Sequence, residues 1–290
     1  MIKNYFQLLR VPQWIKNGFV FVPIIFSKQI FNPDYFSLVL LAFVSFCFVS
    51  SAVYIINDIF DISLDKLHPV KKHRPIASGK ISRNAGIVTA VILFLVVAGI
   101  SSFLNIKFIS ALLIYVVLNI TYSVWLKHIV IIDIMSIASG FMIRVLAGAF
   151  VISVYVSSWL ILTTLFISLF LAIMKRRSEL NLKISEDSSI TRRVLSEYTV
   201  DFTEQMASIS GAGVIICYAL YSVSDRTIVN VKSENLVFTT IFVVFGIFRF
   251  MYLVYKKSKG ENATEIMLTD WPMIINLILY VIVVLMIVYG

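Results

Sequence analysis

Three aspartates close an apolar run at Asp58, Asp61 and Asp65, inside the segment YIINDIFDISLDKLHPVKKHRPIASGK (Tyr54–Lys80). Their i, i+3, i+7 spacing puts them on one face of a helix, with Asn57 at its edge. Clustered carboxylates repel unless a cation neutralises them, and hard oxygen ligands with positions left open for water and phosphate suit Mg²⁺. The cations that follow, Lys66, Lys71, Lys72, Arg74, Lys80 and Arg83, are placed to hold the same phosphates. A diphosphate handled at the bilayer surface is the chemistry this spacing predicts. A cytoplasmic loop sorted by positive charge accounts for the lysines and arginines. It does not account for three acids at helical spacing directly after Val53–Ile56.

A second constellation runs from Tyr122 to Ala149, YSVWLKHIVIIDIMSIASGFMIRVLAGA. Lys127 and His128 form a basic turn, and Asp133 and Arg144 lie in the next apolar stretch, eleven residues apart and so nearly eclipsed on a helix. An arginine inside a span costs about 2.5–3.5 kcal/mol unless paired or wet. A water-filled cavity holding an anion is therefore expected at Arg144, with a structural pair to Asp133 or another helix as the alternative. Gly140, Ala147 and Gly148 read as close helix packing. The third cluster is AIMKRRSEL (Ala172–Leu180), in which Lys175 and Arg176 suit phosphate and Glu179 is within helical reach of both. Membrane-side anchoring explains those cations about as well. His68, His73 and His128 lack metal-ligand spacing, and Cys47 and Cys217 lack a CxxC partner and read as packing. Phe46, Phe48, Phe166 and Phe170 read as packing or lipid-facing, Arg249 as snorkelling or joining the site, and Trp14, Trp125 and Trp271 as interfacial anchors.

The elements that must position these groups are membrane helices. The chain has 290 residues, 59% hydrophobic, with a net charge of +9 and a mean hydropathy of +0.92. Its basic residues sit between apolar stretches, which favours topology signals and headgroup contacts over nucleic-acid binding. Nine spans are expected, near 14–31, 35–57, 85–104, 107–125, 130–151, 157–176, 205–224, 235–256 and 271–289. The first is interrupted by Pro12 and Pro23 and is expected to enter obliquely. The segments that an even-odd alternation leaves inside carry most of the cations, including Lys3, Arg10, Lys16, Lys183, Arg192, Lys256 and Lys259, while those outside keep Lys28, Lys107, Arg226 and Lys232. That predicts a cytoplasmic N-terminus with an external C-terminus, and no cleaved signal peptide is expected. Two long inner loops four spans apart suggest duplication of a four-helix unit.

The pattern NDxxDxxxD at Asn57–Asp65, closing a second span, resembles the UbiA-type intramembrane prenyltransferase superfamily. LLRVPQWIKNGFVFVPIIF at the start, HPVKKHRPIASG, YSVWLKH with GFMIRVLAGA, KRRSEL, and GENATEIMLTDWP (Gly260–Pro272) are similar to its decaprenyl-phosphate phosphoribosyltransferase branch. The resemblance covers almost the whole chain in motif order. Where aromatic prenyltransferases of the superfamily carry a second aspartate-rich motif, this chain has Lys175-Arg176-Arg177-Ser178-Glu179.

The resemblance implies an all-α, nine-helix membrane bundle, one domain over residues 1–290, with a polar cavity open to the cytoplasm and a lateral opening for lipid. It implies transfer of 5-phosphoribose from phosphoribosyl diphosphate to a polyprenyl phosphate such as decaprenyl phosphate, with release of diphosphate. Mg²⁺ is expected on Asp58 and Asp61, the catalytic pair, with Asn57 and Asp65 in support. Substrate-side candidates are Lys16, Asn17, Lys71, Arg74, Tyr122, Lys127, Asp133, Arg144, Lys175, Arg176 and Glu179. The expected setting is the cell inner membrane, with the bilayer as partner, no nucleic acid, and a homo-oligomer left open. An aromatic prenyltransferase using a prenyl diphosphate is the second reading. An anionic-lipid transporter is the third, and it has no need of an acidic cluster at one membrane face.

Overall fold

The computed structural model describes residues 2–67, 71–185, 193–257 and 269–290. His68, Arg192, Lys259 and positions 260–268 of the last motif lie outside the described residues, as does the side chain of Lys183. Among the described residues all regular structure is helical. Eight helices are long and apolar enough to cross a membrane, and the chain is a multi-pass membrane protein.

The helices are α1 (Ile2–Leu8), α2 (Val22–Phe26), α3 (Pro33–Phe60), α4 (Ile62–Leu67), α5 (Arg83–Ser101), α6 (Ile106–Val124), α7 (Ile132–Val151), α8 (Ser158–Ser185), α9 (Val200–Ser222), α10 (Asp225–Val231), α11 (Thr240–Lys257) and α12 (Trp271–Tyr289). Eight of the expected spans correspond to α3, α5–α9, α11 with the short 3-10 turn before it, and α12. The expected span at 14–31 takes a different form. It is an 11-residue 3-10 helix, Val11–Phe21, followed by the five-residue α2. Pro12 enters the 3-10 stretch at its start, Pro23 has no N–H to donate, and Arg10 and Lys28 bracket the region at φ 51° and 60°. At roughly 2 Å per residue the 3-10 stretch is about 22 Å long.

Two compact units divide the chain. The first comprises Met1–Ile24, Asn32–Leu126 and Ile143–Val154. Its centre is α3, whose span is 61% buried, against 22% for α5 and 28% for α6, so α5 and α6 lie largely outside the packed interior. Asn32 starts α3 by accepting from the amides of Asp34 and Tyr35, and Ser82 starts α5 in the same way through Ala85. Asn105 caps α6 at Phe108, while its amide donates to the carbonyls of Phe150 and Val151 and ties that start to the end of α7.

The second unit comprises Ile25–Phe31, Lys127–Met142 and Tyr155–Gly290. Its core packs Phe170, Met174, Val214, Ile247, Phe250 and Leu253. Gly211 of α9 brings that backbone against Phe170 and Ile247. Thr199 caps α9, and Asp270 caps α12 by accepting from Met273. Arg249 forms a two-point pair with the same Asp270, at 3.0 and 2.9 Å. The pair satisfies a charge that was expected either to snorkel or to join the site. Trp125 and Trp271 are exposed, as interfacial anchors require, whereas Trp14 is half-buried and donates to Ser51. Phe46 and Phe170 are fully packed, and both cysteines are buried and free.

Gly148 confirms the close packing expected of the α7 sequence. A Cβ at this position would lie 2.1 Å from the Val20 carbonyl oxygen, against backbone that cannot rotate away. Gly148→Ala is therefore expected to displace the 3-10 stretch and destabilise the protein by about 1–3 kcal/mol. Gly99→Ala, which meets open space, serves as the comparison. Equal melting temperatures for the two variants in detergent would contradict this packing.

Candidate active site

In the first unit, α3 ends with Asp58 buried one turn from its terminus and Asp61 as its C-cap, and α4 follows at once with Asp65 buried. Arg74 donates through one nitrogen, Nη1, to Asp58 at 3.1 Å and to Asp65 at 2.6 Å. Arg10 donates to the same Asp58 oxygen and lies over the Tyr54 ring. Asp61 accepts from Asn57 at 3.2 Å. The expected set of Asn57, Asp58, Asp61 and Asp65 is thus divided, because a guanidinium draws two acids together and an amide holds the third. Among the described residues no three His, Cys, Asp or Glu side chains gather closely enough to hold a metal ion. Two carboxylate oxygens nonetheless converge on a single cationic nitrogen, and that donor chemistry fits a hard divalent ion. Lys71 is half-buried in the short 3-10 turn Lys71–His73.

Deeper in the same unit, Arg144 is buried and donates from Nε to Asn17 Oδ1 at 2.8 Å and from Nη2 to the Tyr115 hydroxyl at 2.7 Å. Asn17 is buried too, and its amide nitrogen donates to Cys47 Sγ and Ser50 Oγ, each at 3.3 Å. Neutral groups therefore align the guanidinium, with the Phe46 ring 5.8 Å from its carbon. Tyr122 is half-buried on α6.

In the second unit Asp133 and Arg176 are both fully buried. Arg176 donates from Nε to Asp133 at 2.7 Å and from Nη1 to Glu179 at 2.6 Å. Tyr198 completes the group, its hydroxyl donating to the other Asp133 oxygen at 2.7 Å and accepting from the Ile131 amide at 2.7 Å. Burial, then the hydrogen bond to Asp133, pushes the Tyr198 phenol well above its usual range, so it remains a neutral donor at physiological pH. Asp133 and Arg144, expected to line one cavity, fall in different units, Asp133 beside Arg176 and Tyr198 and Arg144 beside Asn17 and Tyr115. Lys127 lies half-buried in the 3-10 turn Leu126–His128, and Lys175 is half-buried beside Arg176. Arg177 is held separately by Glu204 at 2.8 Å.

Sequence reasoning missed Arg10, Tyr115, Tyr198 and the Arg177–Glu204 pair as parts of polar networks. Arg10 carried a signal, a cation directly before the VPQW run, that was spent on topology. Tyr198 precedes the α9 cap in a polar stretch, and Tyr115 is one hydroxyl in an apolar run, so neither has a spacing that marks it.

Lys16 occupies the 3-10 stretch outside the eight spans. Burial, then the charges of Arg144 and Arg10, lowers its pKa from 10.5 to about 8. The folded protein therefore releases this proton near pH 8 and the unfolded chain near 10.5. Between those values the unfolded state binds more protons, so stability rises with pH across that window. Lys16→Met is expected to abolish this rise. Melting temperatures at pH 7.5 and 9.5 check it, and an unchanged pH slope in the variant would refute it.

Comparison with known proteins gives the chain its kin. Residues 20–288 match the UbiA prenyltransferase family. The decaprenyl-phosphate phosphoribosyltransferase of Mycolicibacterium smegmatis is 32% identical over 78% of this chain and 72% of its own length. The protein of that name from Mycobacterium tuberculosis is 30% identical over 77% and 74%. A UbiA homolog from Archaeoglobus fulgidus, solved bound to GPP and Mg²⁺, superposes with a TM-score of 0.72 at 16% identity over 99% of this chain and 100% of that one, a likeness of fold. With nearly its entire length matched, the chain belongs to the UbiA prenyltransferase family.

Proposed function

We propose that this protein transfers 5-phosphoribose from phosphoribosyl diphosphate to a polyprenyl phosphate, releasing diphosphate, and that residues 1–290 act as one functional domain. The observation that carries this reading is Arg176, buried between Asp133 and Glu179, at the place where prenyl diphosphate enzymes are expected to present a second acidic motif. A fixed guanidinium there suits a substrate with an additional phosphate. The two mycobacterial relatives bear the name of that activity, which supports the same choice over an aromatic prenyltransferase.

In the reaction an oxygen of the lipid phosphate bonds to ribose C1 as the C1–O bond to diphosphate breaks, and diphosphate leaves with the electron pair. The lipid phosphate is already an anionic nucleophile, so no strong base is required. Asp58, Asp61 and Asp65, with Asn57, are assigned to hold Mg²⁺, which when bound supplies positive charge to the leaving diphosphate. Arg10 and Arg74 neutralise Asp58 and Asp65 in the structure described. Substrate phosphate offers these two guanidinium groups a second acceptor, and Lys71 adds charge beside them. Lys175 and Arg176, with Glu179, are assigned to phosphate in the second unit. Lys16, Lys127 and Arg144 are assigned to holding the lipid headgroup, with Asn17 and Tyr122 orienting it. The setting we assign is the cell inner membrane, N-terminus and active face cytoplasmic, by the distribution of cations.

Purified protein given labelled phosphoribosyl diphosphate, Mg²⁺ and a panel of polyprenyl phosphates should move label into the lipid phase. Chelator should stop the transfer, and Asp58→Asn or Asp61→Asn should lower it by roughly 100-fold or more while insertion persists. Prenylation of a hydroxybenzoate from geranyl diphosphate, with no label entering lipid, would overturn the assignment.

A further inference from the structure

The proposed transfer assigns no role to the Tyr198 hydroxyl, yet this one atom joins two elements of the second unit. It donates to Asp133, whose other oxygen holds Arg176, and it accepts from the amide of Ile131. Ile131 is a β-branched residue at φ 69°. The Ile132 amide bonds back to the Val130 carbonyl across it at 2.8 Å, which makes a γ-turn of the rarer, positive-φ hand. Such a backbone persists only where its surroundings over-determine it. Tyr198 is the side chain that bonds its central amide, and the turn leads directly from the Lys127-bearing 3-10 segment into α7.

Tyr198 is itself held in place. Val194 and Leu195 are buried in the same core, the ring stacks on Phe202, and Thr199 immediately after it caps α9. Its hydroxyl is thus a fixed point from which the Asp133–Arg176 pair and the Ile131 turn both take their position.

We propose that Tyr198 is a positioning residue for phosphate recognition, setting Arg176 through Asp133 and the Lys127 turn through Ile131. Its substrate, phosphoribosyl diphosphate, rests on the function proposed above. The geometry adds this role to packing, because it is the hydroxyl that bonds both Asp133 and the Ile131 amide.

The test is Tyr198→Phe, which keeps the ring and removes only the hydroxyl. KM for phosphoribosyl diphosphate should rise roughly tenfold while kcat changes by less than about twofold, the signature of lost substrate binding. Amide exchange across 129–133 should accelerate. Tyr218→Phe removes a buried hydroxyl bond of 2.6 Å to Thr239, so it controls for general destabilisation and should leave KM unchanged. Asp133→Asn is a second arm: it should raise KM similarly, and the double variant should add little, since coupled groups are non-additive. An unchanged KM in Tyr198→Phe, a shift matched by Tyr218→Phe, or independent, multiplicative effects with Asp133→Asn would overturn the proposal. If the wild-type protein turns over no phosphoribosyl diphosphate, the functional assignment falls. The exchange measurement then still judges Tyr198: wild-type exchange at 129–133 in Tyr198→Phe sinks its positioning role.

Discussion

A charge withdrawn from water into an apolar bundle must find its counter-charge or dipoles inside the protein, and most of the polar architecture follows from that constraint. Asp133 and Arg176 are both fully buried and meet each other, with Glu179 and Tyr198 completing the set. Asp58 and Asp65 are buried and meet Arg74. Arg144 is served by an amide and a phenol. Removing one member of such a group leaves the other stranded, which typically costs about 3–5 kcal/mol. Each network is therefore constrained as a set. A group that must also bind an anion is under a further demand, since its resting partners have to give way or be shared.

The networks differ in how readily they can do so. Arg10 and Arg74 keep roughly a quarter of their side chains exposed, so they can turn from carboxylate to phosphate without leaving solvent. Arg176 has no exposure at all. Its contribution is a fixed direction of charge, set by two acids and, at one remove, by a tyrosine. The first unit thus holds partly exposed cations and the second a rigid, fully enclosed one.

Much of this was legible in the chain. Eight spans could be read because sustained hydropathy is a local property, and their boundaries follow caps that sequence displays, such as Asn32 and Asp270. The region at 14–31 was apolar enough to read as a span, but hydropathy does not register backbone hydrogen-bond pattern, and two prolines shift that pattern to 3-10. The aspartates could be read as a group from their spacing, although the helix breaks at Asp61, so Asp58 on α3 and Asp65 on α4 are joined through Arg74 and not by one helical face. The division of that group could not be read, because Arg74 reaches back across a turn and Asn57 takes Asp61. Asp133 and Arg144 share a helical face, yet the side chains that serve them come from distant sequence: Tyr198 and Arg176 for one, Asn17 and Tyr115 for the other. A single sequence carries no signal for such long-range pairing.

The hold on Asn17 has a consequence for chemical ageing. Asn17 precedes Gly18, and an asparagine before glycine is open to attack by the next backbone nitrogen on its side-chain carbonyl, which expels ammonia to form a cyclic imide that water then opens to aspartate or isoaspartate. Attack requires the amide to swing toward the backbone. Here its oxygen is held by Arg144 and its nitrogen by Cys47 and Ser50, so the swing would break every one of those bonds. The same contacts that aim the guanidinium also guard the residue against slow conversion. Folded protein should keep its amide for as long as that arrangement persists, whereas unfolded chains would accumulate a negative charge at position 17 and could no longer rebuild the donor side of the network.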